Sequence, residues 1–150
     1  MSSGTAVAVV MAATAGLAGS IQAAVMGELG ERVGIVPAVA FSVILALPLG
    51  LAALLIWEGS FDGVRATLHE PAWLWIGPLM SVFIVFAITV GPPRIGVTAT
   101  IGLVIAFNLV SAALIDQYGL LGQEQVAITW LRVLGLALLV AGAALTLSRA

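Results

Sequence analysis

The sequence contains no cysteine, no lysine, a single histidine and few charges of either sign. The absence of cysteine excludes disulfides, thiolate nucleophiles and cysteine-based metal sites. A net charge of −2 offers no basic patch to a nucleic acid. Charged residues make up 8% of the chain and hydrophobic residues 62%, whereas soluble domains carry about 25% charged residues. So few charges cannot cover a soluble domain of 150 residues, and the composition predicts an integral membrane protein.

Five apolar stretches are long enough for membrane-spanning helices, each of which needs about 20 apolar residues. The predicted helices span residues 5–27, 34–57, 72–91, 95–115 and 127–148. The connections are short and carry most of the charged residues, so they leave no room for a soluble catalytic module. The sequence therefore predicts an all-α integral membrane protein with a single transmembrane domain, residues 1–150, of five helices. We expect no enzyme activity, because no nucleophile–base pair and no metal-ligand set is visible.

Two prolines, Pro48 and Pro78, fall inside predicted helices. Each removes the hydrogen bond to the carbonyl four residues earlier, at Ile44 and Leu74. A packing kink is the more common result, and a hinge or a broken helix that lines a cavity is the alternative.

The charged and aromatic residues differ between the two membrane faces, here called side A, which carries the N-terminus, and side B. Side B receives Arg32, Arg94 and Arg149, and side A receives Arg65 and Arg132. This small excess weakly favours an N-out, C-in orientation and also permits insertion in both orientations. All four tryptophans map to side A: Trp57, Trp73, Trp75 and Trp130. Because aromatic belts normally form at both faces, an antiparallel dimer would restore the missing belt, and chance is the alternative.

Polar residues within the spans are the candidates for substrate binding. No Asp, Glu, Lys, Arg or His lies at the centre of a span, so no carboxylate is available at mid-depth for proton coupling. Glu28 and Asp116 lie only at helix ends. The candidate substrate-binding residues are Gln22, Asn108, Ser20, Ser111 and Ser81. Their amides and hydroxyls suit a small polar solute, and hydrogen bonds between helices are the alternative.

The depths of the two amides favour antiparallel pairing. From the predicted span centres, Gln22 lies roughly 9 Å towards side B and Asn108 roughly 4–5 Å towards side A. Inverting one chain brings Gln22 to within about 5 Å of the depth of the partner's Asn108.

Small residues recur every four positions on several helices, a pattern that lets helices approach closely. The rows on the first helix are Ala12, Gly16, Ser20, Ala24 and, beside them, Gly19, Ala23, Gly27. The rows on later helices are Thr98, Gly102, Ala106 and the pair Ala137, Ala141.

The order and spacing of several short segments resemble the YdcZ-like inner-membrane proteins of the drug/metabolite transporter superfamily. The resemblance covers nearly the whole chain and rests on these segments: Gly16 and Gln22, Leu29-Gly30, Pro93-Arg94-Ile95-Gly96, Asp116-Gln117-Tyr118-Gly119-Leu120-Leu121-Gly122, Arg132-Val133-Leu134-Gly135 and Ala141-Gly142. Two positions depart from the family pattern: Met26 stands where an asparagine is frequent, and Asn108 where a glutamine is frequent.

The resemblance implies a five-helix unit equivalent to half of a ten-helix carrier with inverted repeats. A single five-helix chain obtains that architecture by pairing with an inverted copy of itself or with a paralogue. The expected function is a secondary exporter of a small polar or amphipathic metabolite in the inner membrane of a prokaryote. A channel-like pore and a non-transporting membrane subunit are the alternatives. Besides the lipid bilayer, the solute and a second chain, we expect no nucleic-acid partner and no cofactor or metal.

Overall fold

The computed structural model describes residues 3–147, and all regular structure within them is helical. Five segments are long and apolar enough to cross a membrane, which confirms the predicted number of spans. They are Gly4–Val33, Ile35–Trp57, Ala72–Ile95, Val97–Tyr118 and Trp130–Leu147. The predicted end of the fifth helix, Ser148, lies outside the described residues.

The first helix, α1 (Ser3–Val33), continues past the predicted end at Gly27. Glu28 and Arg32 lie one turn apart and form an ion pair, with 2.7 Å between Nη2 and Oε1. Such pairs support a helix, so these charges end the apolar stretch without ending the helix. At 31 residues α1 is about 46 Å long, which exceeds the hydrocarbon core of about 30 Å. It ends at Val33. The next residue, Gly34, has a φ of 94° and a ψ of 152°, a backbone conformation that only glycine adopts readily.

The second span is α2 (Ile35–Trp57), which contains Pro48 in its interior. A short helix, α3 (Asp62–Thr67), lies in the connection that follows. The third span begins as a 3₁₀-helix (Ala72–Trp75) and continues as α4 (Ile76–Val90). Pro78 therefore falls in the first turn of α4, where a proline is tolerated, and Leu74 lies in the 3₁₀ turn before it. The change of helix type accommodates this proline.

The remaining helices are α5 (Pro92–Ile95), α6 (Val97–Tyr118), a 3₁₀ turn (Leu120–Gly122) and α7 (Trp130–Leu147). Between α5 and α6, Gly96 has φ 80° and ψ 157°, a second position that only glycine adopts readily. α7 begins at Trp130, three residues later than predicted, and residues 127–129 are not helical.

The chain divides into two compact units. One comprises the residues up to Ala23 and from Gly91 onward, and the other comprises Ala24–Val90. In the first unit α6 packs against α7, and Ala99, Thr100, Ala106 and Ala143 are buried. In the second unit α2 packs against α4, with Ala38, Val39, Ile88 and Thr89 buried. Small side chains therefore dominate the first core, as expected for closely packed membrane helices, whereas the second core also buries Met26, Val39 and Ile88.

Two of the predicted small-residue rows need correction. On α7 it is Ala143, not Ala137 or Ala141, that lies against α6, and a Cβ on Gly102 would be 3.7 Å from its Cα. Ala137 and Ala141 are exposed, because they lie on a different face of the helix from Ala143. On α1 the two rows also differ. Ala23 and Gly27 are buried, whereas Ala12, Gly16 and Ala24 of the other row are exposed.

Candidate functional site

The two predicted amides are both exposed in the single chain. Gln22 lies in α1 and Asn108 in α6, within the same compact unit. An amide facing hydrocarbon without a partner costs free energy, so both side chains require a second protein surface or a polar solute. The substrate-binding role of the two residues stays a prediction.

The observed helix bounds change the estimated depth of Asn108. The α6 helix runs from Val97 to Tyr118, so Asn108 lies within about 1 Å of its midpoint. The apolar part of α1 still ends at Gly27, before Glu28, so Gln22 keeps its estimated depth of roughly 9 Å towards side B. The sequence placed Asn108 farther from the centre because it predicted the end of α6 three residues too early.

The three predicted serines differ in their surroundings. Ser20 is half-buried and its hydroxyl donates to the carbonyl of Gly16 at 3.2 Å. Ser81 is exposed and donates to the carbonyl of Pro78 at 2.6 Å. These bonds within a helix reduce the cost of a hydroxyl in lipid and leave the oxygen free to accept. Ser111 is exposed on α6, and Ser81 belongs to the other compact unit from the remaining four candidates.

Two grooves lie along the α6–α7 pair, each of about 360 Å³. The first is lined by leucines, small residues and one ion pair, Asp116 and Arg132. The second is lined among others by Thr98, Gly102, Gly142 and Thr146. Neither groove is lined by Asn108 or Ser111. The small row predicted on α6 therefore does mark the face that forms the second groove, through Thr98 and Gly102, whereas the polar residues selected as substrate-binding do not.

The ion pair joins the end of α6 to the start of α7. Arg132 Nη1 lies 3.7 Å from Asp116 Oδ2, and both side chains are nearly half exposed. Sequence reasoning treated Asp116 as a helix-end marker and Arg132 as a residue that reaches the membrane surface. The opposite charges at the two ends of one connection were the signal that could have paired them.

The connection between α6 and α7 is held to α6 by three further hydrogen bonds. The side-chain oxygen of Gln117 accepts from the backbone amide of Ile128 at 2.6 Å, and the backbone carbonyl of Gln117 accepts from Gln125 Nε2 at 2.9 Å. The Asp116 carbonyl accepts from the Val126 amide at 2.8 Å. These contacts fix the position of Asp116 relative to the start of α7.

Five apolar spans with uncharged centres define a multi-pass helical membrane protein. The family described as "Putative inner membrane exporter, YdcZ" matches residues 7–145, and the chain belongs to that family. The protein is accordingly a multi-pass inner-membrane protein of an exporter family, which is a class of transporter and not of enzyme. No curated protein and no solved structure matches the chain.

Proposed function

We propose that the chain is a secondary exporter of a small polar or amphipathic metabolite and that it works as an antiparallel dimer, either with a copy of itself or with a paralogue. The observation that carries the proposal is the exposure of both amides in the single chain. In a dimer they become interior groups, available to a solute that crosses between two chains.

The N-terminal half of α1 supports a dimer independently of the amides. Every residue from Gly4 to Ala18 is exposed, although this segment belongs to a span with high hydropathy. The exposed small row Ala12, Gly16 and Ala24 lies on this helix and offers a close approach to another helix. Lipid tails can cover the apolar residues, so it is this small row, and not the exposure itself, that favours a second chain.

The depths of the amides support an inverted arrangement. Inversion about an axis in the membrane plane leaves a residue at mid-depth where it is, so Asn108 of both chains stays central. It moves Gln22 of one chain to the opposite side of the centre, roughly 9 Å from it. The four amides of an antiparallel pair then line a path roughly 18 Å long, with the two Asn108 amides at its middle, which suits a solute that crosses between the chains.

Single introduced cysteines test the orientation, because the chain has no cysteine of its own. Gln123→Cys places an exposed thiol in the connection between α6 and α7, which is predicted to lie on side A, and Glu31→Cys places one in the last turn of α1, on predicted side B. Labelling of intact cells with an impermeant reagent should be partial at each position for dual insertion. Complete labelling at one position and none at the other, in a functional protein without a paralogue, would contradict the antiparallel homodimer.

Flux through purified protein in liposomes tests the transport class. With a panel of small polar and amphipathic metabolites, a carrier gives saturable flux that depends on a gradient. Fast flux that does not saturate would indicate a pore, and no flux with any solute would indicate a non-transporting subunit.

A further inference from the structure

The second compact unit contains an open cavity, lined by exposed residues, that the proposed transport does not use. It has a volume of about 490 Å³ and lies between the end of α3 and the start of the third span. Its apolar lining consists of Leu68, Leu74, Trp75, Pro78 and Leu79. The volume falls within the range of small-molecule sites, about 300–1,000 Å³. It is too small for a two-chain phospholipid, so a small ligand is the expected occupant.

Thr67 and Trp75, two of the residues with polar groups in the cavity lining, are already hydrogen-bonded within the chain. The Trp75 indole N–H donates to the Thr67 carbonyl at 3.2 Å, and the Thr67 hydroxyl donates to the Val64 carbonyl at 2.6 Å. Both groups therefore already have partners within the chain. The remaining lining group is Glu70, whose carboxylate forms no ion pair among the residues that the structure describes.

The surrounding connection has an excess of negative charge. Residues 58–71 contain Glu58, Asp62 and Glu70 against one arginine, Arg65. A carboxylate in the lining of an otherwise apolar cavity is complementary to a ligand with a cationic head and an apolar tail. The indole of Trp75 adds a cation–π surface for the same head group.

We propose that this cavity binds an amphipathic amine, an ammonium group on a short alkyl chain, with the ammonium at Glu70 and the chain among the leucines and Trp75. The cavity joins the first turns of a membrane span, Trp75 to Leu79, to a connection outside it, Thr67 to Glu70. An amphipathic molecule at the membrane surface adopts this same orientation, with its charge towards water and its chain in the hydrocarbon. The proposal concerns binding, and it does not depend on the proposed transport.

Octylammonium, octanol and octanoate test the proposal, because they share a chain and differ in charge. The protein is purified in phosphatidylcholine nanodiscs with Trp57, Trp73 and Trp130 replaced by phenylalanine, so that Trp75 reports occupancy by fluorescence. We expect a saturable change with octylammonium at a concentration about tenfold lower than with octanol, the factor expected from one ion pair and one cation–π contact. Octanoate should bind most weakly.

Glu70→Gln should abolish the preference for octylammonium, so that octylammonium and octanol bind at about the same concentration, while octanol binding is retained. Retained octanol binding also shows that the variant is folded around Trp75. Glu124→Gln, which removes an exposed carboxylate from the other long connection, is the matched control and should leave the preference unchanged.

Three results with these probes would overturn the proposal, and a fourth comes from an added lipid. They are equal affinities of the intact protein for octylammonium and octanol, a preference that survives Glu70→Gln, and the absence of a saturable change with any of the three probes. Added phosphatidylethanolamine should not displace octylammonium. Displacement would identify a membrane lipid as the occupant and would contradict a site for a small free amine.

Discussion

Thr89 lies so close to Gly30 that a Cβ built on the glycine would be 2.7 Å from Thr89 Cγ2. Thr89 is 1% exposed and its hydroxyl donates to the Val85 carbonyl at 2.7 Å, so the side chain has little freedom to move. The contact brings the end of α1 against the end of α4 within one compact unit. It explains the place of a glycine inside a helix, where alanine would otherwise be preferred.

Gly30→Ala should therefore lower the free energy of unfolding by about 1–3 kcal/mol, the usual cost of an added methyl in a packed core. Unfolding in detergent, followed by circular dichroism, measures the effect. Gly50→Ala is the control, because a Cβ there meets nothing within 4 Å. We expect this control to be neutral or to stabilise by up to about 1 kcal/mol through helix propensity.

Thr89→Ser tests whether the methyl group causes the clash. Serine keeps the hydroxyl that bonds to Val85 and removes only Cγ2. In the double variant Gly30→Ala with Thr89→Ser, the loss of stability should be smaller than the sum of the two single losses. Additive losses would contradict the contact.

A second glycine–threonine contact behaves differently under the same substitutions. A Cβ on Gly91 would be 2.5 Å from both Cγ2 and Oγ1 of Thr100, which is buried. The φ of Gly91, −69°, suits any residue, so the contact alone requires glycine there. Gly91→Ala should destabilise by about 1–3 kcal/mol. Thr100→Ser should not relieve the loss, because one γ-atom remains, whereas Thr100→Ala should relieve part of it.

The same unfolding measurement checks this prediction, with Gly135→Ala as the control because its Cβ would meet no atom within 4 Å. Full rescue of Gly91→Ala by Thr100→Ser would show that Oγ1 does not take part in the clash.

The helices could be predicted from the sequence, but these contacts between them could not. Apolar runs predicted the five helices, since length and hydropathy are local properties of the chain. Thr100 lies within a predicted span and is visible there as a polar residue, but its contact with Gly91 depends on how the chain turns at Pro92 and Pro93. The end of α1 was predicted too early, because Glu28 and Arg32 form a pair that continues the helix.

The candidate site was harder to predict for a similar reason. A polar residue in an apolar helix is visible in the sequence, so Gln22 and Asn108 could be selected. The α6–α7 contact instead depends on which face of each helix turns inward, and several small rows satisfy the same pattern. Ala143 is buried and Ala141 is exposed, although both are small residues of one helix.

The Asp116–Arg132 pair should contribute little to stability despite joining two helices. Its atoms are 3.7 Å apart and both side chains are nearly half exposed, so the charges are screened. We expect a coupling free energy below about 1 kcal/mol in a double-mutant cycle of Asp116→Asn and Arg132→Gln. The exposed Glu28–Arg32 pair within α1 is the reference, with an expected value of about 0.3–0.5 kcal/mol. A coupling of several kcal/mol would mean that the pair is desolvated in the assembled protein.

Replacing Gln22 separates a binding role from a packing role. The amide is exposed in the single chain, so Gln22→Leu leaves no buried partner unsatisfied within that chain and should leave its free energy of unfolding unchanged within about 1 kcal/mol. If the amide contacts the solute, export should fall about two- to tenfold, the equivalent of one lost hydrogen bond.

The measurement is the initial rate of flux in liposomes for whichever metabolite of the panel is exported, alongside the dimer fraction at matched protein concentration. Ile21→Leu is the control, because it changes a neighbouring exposed apolar residue of the same helix without removing a polar group. Wild-type export by folded Gln22→Leu protein would exclude the binding role. A parallel fall in dimer fraction and export would show instead that the amide joins the two chains.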